Sequence, residues 1–162
     1  MLVEILKISV KYLGVWLNSA VSFGPHVRAA AAKTENVINA LSKLMPNIGG
    51  PTEQKRKILG SVAQSVMMYG AVLWADAMYV ATYRDALHIV QRRIALRICR
   101  AYRTVFYDAV TVLARVIPAH LSAKERKRVF YSELPKQEEA RLSKVDTLER
   151  WQREWSEARK GE

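Results

Sequence analysis

The chain has 162 residues, half of them hydrophobic, and its 26 Lys and Arg against 15 Asp and Glu give a formal net charge of +11. That length suits one domain or a segment of a larger protein, with enough apolar residues to bury a core. The single cysteine, Cys99, excludes a disulfide framework and argues against a cysteine-based zinc site, and no apolar run approaches the roughly 20 residues of a membrane span.

A positive excess of this size points to a polyanionic partner, a solubilising surface charge being the bland reading. The opening residues MLVEILKISV hold an acid and lysines within a short apolar stretch and lack a small-residue cleavage site, unlike a signal peptide. Lone-cysteine usage fits a reducing, intracellular compartment.

Residues 2–8 and 10–17 read as two short strands or a hairpin, punctuated at Asn18-Ser19 and Phe23-Gly24-Pro25. On that reading Gly14 lies inside a strand, and Tyr12 and Trp16, four apart, share a face. From Pro25 the period becomes helical through Val27, Ala30, Ala31, Ile38 and Leu41, stopping near Met45-Pro46. Thr52 is an N-cap candidate for a second helix carrying Ile58, Leu59, Val62, Val66, Met67, Leu73 and Trp74. Gly60 and Gly70 lie within it and mark either close helix approach or a break near Tyr69-Gly70.

A third helix runs over about 80–102, with Tyr83, Leu87, Val90, Ile94 and Ile98 as its apolar stripe. Arg93, Arg97 and Arg100 form a basic ridge on another face. Shorter helices follow over about 106–115 and 121–133, and a charged helix with Leu142, Leu148, Trp151 and Trp155 begins after Pro135. The expected fold is mainly α, a helical bundle with a short N-terminal β-hairpin. It divides into a β element (1–24), two helical parts (25–79 and 80–134) and a charged C-terminal helix (135–162).

No phosphate-binding Gly loop is present, and His26, His88 and His120 lie far apart without metal-ligand spacing, reading as surface or packing residues. No catalytic residue and no metal site is expected, and no cofactor in this segment.

The motif series is more specific than any single signal. Lys11-Tyr12-Leu13-Gly14-Val15 resembles the segment following the catalytic palm of non-LTR retrotransposon reverse transcriptases, nearest to the insect jockey-like and ribosomal-DNA-inserting elements. Ala40–Pro51 resembles that family's first thumb helix and exit loop, and Met68-Tyr69-Gly70-Ala71-Val72-Leu73-Trp74 its YG…W segment. Gln91-Arg92-Arg93, Ala101-Tyr102-Arg103-Thr104-Val105 and Thr147–Gln152 match its thumb-to-connector region.

The resemblance implies a primer grip at Lys11, Tyr12, Leu13 and Gly14, where a glycine lets the backbone approach a sugar-phosphate chain. It also implies phosphate contacts from Lys55, Arg56, Lys57, Arg92, Arg93, Arg97, Arg100 and Arg103 to an RNA–DNA hybrid, without sequence preference and in the nucleus. The palm's aspartate pair, expected upstream of Met1, and a Cys-His knuckle, expected past Trp151, are absent. The segment should therefore be inactive alone, depending on the palm and its Mg for chemistry. Arg115 stands where the family's fourth helix usually ends in Gly. The other expectation, from a different class, is a helical protein-interaction module without a nucleic-acid role.

Overall fold

The computed structural model describes residues 9–20 and 22–158, so the expected strand over 2–8 lies outside the described residues. The described chain is a two-stranded antiparallel hairpin followed by seven α-helices and one 3-10 helix, a mainly helical fold.

β1 (Val10–Tyr12) pairs with β2 (Val15–Leu17) in the register Val10↔Leu17, Lys11↔Trp16 and Tyr12↔Val15. The hairpin is thus folded within residues 10–17, which had read as one strand. Leu13 and Gly14 form the turn with φ of 45° and 83°, and positive φ at both central residues is the mark of the tight primed turns that match strand twist. Gly14 is a turn residue, and the reversal there separates Tyr12 from Trp16. Trp16 instead lies beside Lys11, whose ammonium sits 6.0 Å from the indole centroid.

Helix α1 (Gly24–Ser42) carries Pro25 in its first turn, and α2 (Glu53–Met67) starts after Thr52. The predicted break after α2 occurs: Gly70 has φ 67°, and α3 (Ala71–Trp74) continues into the 3-10 helix Ala75–Tyr79. Then come α4 (Ala81–Cys99), α5 (Tyr107–Ala114), α6 (Ala119–Tyr131) and α7 (Lys136–Ala158).

The core lies where α1, α2 and α4 meet and runs on beneath α3, α5 and α6. Leu87, Val90, Ile94 and Ile98 supply the buried stripe of α4, as their spacing predicts. A Cβ on Gly60 would come within 2.6 Å of Ile98 Cδ1, so the absence of a side chain lets α2 lie close on α4. Trp74 is fully buried at the α2–α3 break, its indole N–H donating to the Tyr69 carbonyl at 2.9 Å.

α7 packs on α6 through a polar face. Glu139, Ser143 and Thr147, one turn apart, are buried, while Leu142 and Leu148 face outward. The buried acid is satisfied: Glu139 accepts from Arg128 at 2.6 Å, Ser143 at 2.8 Å and Ser132 at 3.0 Å. No single helix among the described residues is long and apolar enough to cross a membrane.

Candidate functional site

A cleft of about 490 Å³ opens where the C-terminal half of α1 meets α4 and the loop after it. Arg92, Arg93, Arg97 and Arg103 line it, with Ser42 and Asn47 on the opposite wall. Arg93 and Arg97 are successive turns of α4, so both point from one side of the helix. Arg103 enters from the loop that follows.

The guanidiniums differ in what they already hold. Arg92 donates to the carbonyls of Val105, at 2.9 Å through Nε and 2.7 Å through Nη2, and to that of Arg103. It ties the 101–106 loop to α4. Arg93 is paired with Glu35 and donates to Asn39 Oδ1 at 2.9 Å. Arg97 and Arg103 make no side-chain hydrogen bond or ion pair among the described residues. The cleft therefore presents two unengaged guanidiniums and one shared with a carboxylate, a site suited to closely spaced anionic oxygens.

Of the eight cationic residues expected to face a phosphate chain, Arg56 is the clear departure. It is fully buried, donating to the carbonyls of Pro51 (2.9 Å), Met45 (3.3 Å), Arg97 (2.9 Å) and Pro46. Helical position alone had placed it beside Lys55 and Lys57, but the 43–52 loop folds over it. Arg100 is exposed but occupied, capping α4 with φ 55° and donating to Pro51 O at 2.8 Å. Lys57 pairs with Glu53 at 2.6 Å, while Lys55 is exposed and unpaired among the described residues.

A second cleft, about 380 Å³, lies between the hairpin and the N-terminal half of α1, with Lys11, Gly14, Trp16, His26, Lys33 and Tyr69 around it. Tyr69 hydroxyl donates to the Leu13 carbonyl at 2.9 Å and fixes the turn, while Tyr12 and Leu13 side chains are exposed. The two clefts share α1 but not a face of it. His26, Ala29, Ala30 and Lys33 border one, Ile38 and Ser42 the other, and at 3.6 residues per turn these sets point in different directions.

The fold also joins three residues that sequence reading kept apart. His88 Nε2 lies 2.9 Å from His120 Nδ1, and His120 Nε2 lies 3.0 and 3.1 Å from the two carboxylate oxygens of Glu154. Tyr107 stacks on His88 with ring centroids 4.2 Å apart. α4, α6 and α7 each supply one member, and no sequence spacing signals it.

A bond between two imidazoles needs one N–H and one lone pair, so the two rings cannot both be cationic. Burial, with His120 and Arg84 nearby, pushes His88 down to about 3. Burial works against Glu154, but the hydrogen bond from His120 and the charges around it hold that carboxyl low. Burial and the charge of Glu154 raise Asp108.

Between about 3 and the ordinary histidine value of 6.5 the unfolded chain binds the extra proton at His88 and the folded chain does not. Stability should thus be complete above that window and fall on acidification through it. Glu154 acts in the same direction and Asp108 in the opposite one. Denaturant midpoints at pH 7 and pH 5 check this: the native chain should lose stability at the lower pH, and His88→Asn should lose less.

The described residues contain no cluster of three or more His, Cys, Asp or Glu able to hold a metal ion. The class of structure is therefore a basic, mainly helical body with a small hairpin and an arginine-lined cleft. Comparison with known proteins shows what the chain is similar to. No protein-family model matches the chain and no solved structure does.

Curated sequences do match. Over 94% of its length the chain is 28% identical to a retrovirus-related Pol polyprotein from type-1 retrotransposable element R1 of Nasonia vitripennis. It is 25% identical over 93% of its length to a second such polyprotein, from element R1 2 of the same organism. Over 72% of its length it is 26% identical to a putative 115 kDa protein in type-1 retrotransposable element R1DM of Drosophila melanogaster. These matches span 50%, 42% and 12% of the three relatives. The chain is a relative of the Pol polyproteins of R1-type non-LTR retrotransposons, as its motif series implied.

Proposed function

We propose that the chain is the primer-grip, thumb and connector segment of a retrotransposon RNA-directed DNA polymerase, a non-catalytic clamp on the template–primer. The single observation that supports this most is the cleft in which Arg97 and Arg103 carry no partner beside Arg92 and Arg93. Guanidiniums at helical spacing suit phosphates along a backbone and carry no base information. In this reading the hairpin, with Lys11 above Trp16, steadies the primer end, and Lys55 extends the phosphate contacts. The metal-binding carboxylates and the Mg they hold belong to the palm, the clamp's partner in the parent enzyme.

Filter binding of the chain to a short RNA–DNA hybrid at two salt concentrations tests the reading. Two to four phosphate contacts correspond to a slope of about −2 to −4 in log affinity against log salt. Equal affinity at both salts contradicts a phosphate clamp and leaves the protein-interaction reading.

A further inference from the structure

A groove of about 340 Å³ runs between the end of α5 and the C-terminal half of α7, lined by Val112, Arg115, Leu148, Trp151, Gln152 and Trp155. Leu148, Trp151 and Trp155 follow at i, i+3 and i+7, so they align along one side of α7. Both indoles are half-buried, leaving ring surface open. Neither indole N–H, nor the Gln152 amide, nor the Arg115 guanidinium has a hydrogen-bond partner among the described residues.

The surroundings are positive in the direction of the arginine cleft. Arg115 caps α5 in the left-handed conformation, φ 56°. Its charge helps hold Glu53 low, and Glu53 is already paired with Lys57 at 2.6 Å. Arg56, less than one turn further along α2, feels Arg97 and Arg100. The first turn of α2, which lies within reach of the Arg115 charge, thus carries a closed Lys57–Glu53 pair and the exposed, unpaired Lys55. On the other side, α5, whose 8 residues rise about 12 Å, lies between the loop that carries Arg103 and Arg115 at its own end.

We propose that this groove takes the bases of single-stranded nucleic acid, stacked on Trp151 and Trp155, with Arg115 on a neighbouring phosphate. The inference rests on the phosphate-binding reading of the cleft and extends it from backbone to bases. Aromatic platforms accept any base because every base has a π face, and a cation beside them matches the adjoining phosphate.

The test titrates the full chain with three ligands of equal length: a thymidine decamer, an abasic sugar-phosphate decamer and a duplex. The decamer with bases should bind roughly 5- to 150-fold more tightly than the abasic one, the range one stacked base supports, and should quench indole fluorescence. Trp155→Ala and Trp151→Ala should each bring the thymidine strand toward the abasic level and leave duplex binding unchanged. Trp155→Phe should restore most of the difference and Trp155→Leu, which keeps the packing without the π face, should not.

Equal affinity for the thymidine and abasic strands overturns the stacking site while leaving the cleft reading intact. So does a uniform loss across all three ligands in the Trp155 variants. Failure of all three ligands to bind the native chain overturns both.

Discussion

Reversing Arg97 and Arg103 together, as Arg97→Glu with Arg103→Glu, should weaken binding to an RNA–DNA hybrid by about a hundredfold or more at moderate salt. Each reversal removes a phosphate contact and puts a carboxylate in its place, and about tenfold per site corresponds to 1.4 kcal/mol. Their neutral counterparts, Arg97→Ala and Arg103→Ala, should each lower the salt slope by about one, as expected when a single phosphate contact is lost.

The control is a double reversal of equal net charge elsewhere, Arg28→Glu at the N-terminal end of α1 with Arg141→Glu on α7, both exposed and neither lining the cleft. It should shift affinity only through overall charge, by a few-fold. Neither cleft residue holds another side chain among the described residues, so both variants should unfold near the native midpoint. Comparable losses in the control and the cleft pair would show that net charge, and not the cleft, carries the binding.

Arg56→Met should destabilise the fold by about 3–5 kcal/mol, the range for removing one member of a buried, hydrogen-bonded charged set. The guanidinium satisfies four carbonyls, those of Met45, Pro46, Pro51 and Arg97, and no carboxylate shares its site. Without it the Met45 carbonyl lies buried and unpaired and those of Pro46 and Arg97 lose this donor, while Arg100 still donates to Pro51; a buried orphan costs about 1–3 kcal/mol before the loop relaxes. The Arg97 carbonyl belongs to the negative end of α4, which favours a cation there.

Arg56→Lys should recover only part of the loss, because an ammonium cannot spread three donors across the same fork. Urea unfolding reads the effect. A midpoint displaced by no more than surface substitutions produce would mean that the 43–52 loop holds its shape without the guanidinium.

These arginines show what the sequence could and could not tell. Periodicity placed α1, α4, α5 and α6 within a few residues of where they occur, Pro, Gly or a polar residue marking their ends, and the start of α7 followed from Pro135. The same periodicity put Arg56 among the solvent-facing cations of α2. Only the tertiary fold shows that a loop closes over it.

The hairpin was misplaced by one strand for a related reason. Leu13-Gly14 is a turn only if residues 10–12 turn back on 15–17, and the apolar run on both sides hides the reversal. Gly14 still mattered, as the residue that takes φ 83°.

The arginine ridge on α4 was legible as spacing. Its division into engaged and unengaged guanidiniums was not, since Glu35, Asn39 and the carbonyls of Arg103 and Val105 come from distant segments. The His88–His120–Glu154 chain was invisible for the same reason, each member standing on a different helix. α7 shows a subtler limit: it reads as a charged helix, but which charge turns inward is hidden, and Glu139 is buried against α6 by hydrogen bonds from Arg128 and Ser143 that no hydropathy pattern reports.

The most direct measurement of the central claim is a map of backbone amide shifts in the full chain as a short RNA–DNA hybrid is added. The account predicts that the largest changes fall on the end of α1, Asn47 and its loop, α4 from Arg92 to Arg97, and the loop around Arg103. Changes spread evenly over the basic surface, or gathered on α6 around Lys127 and Arg128, would contradict it.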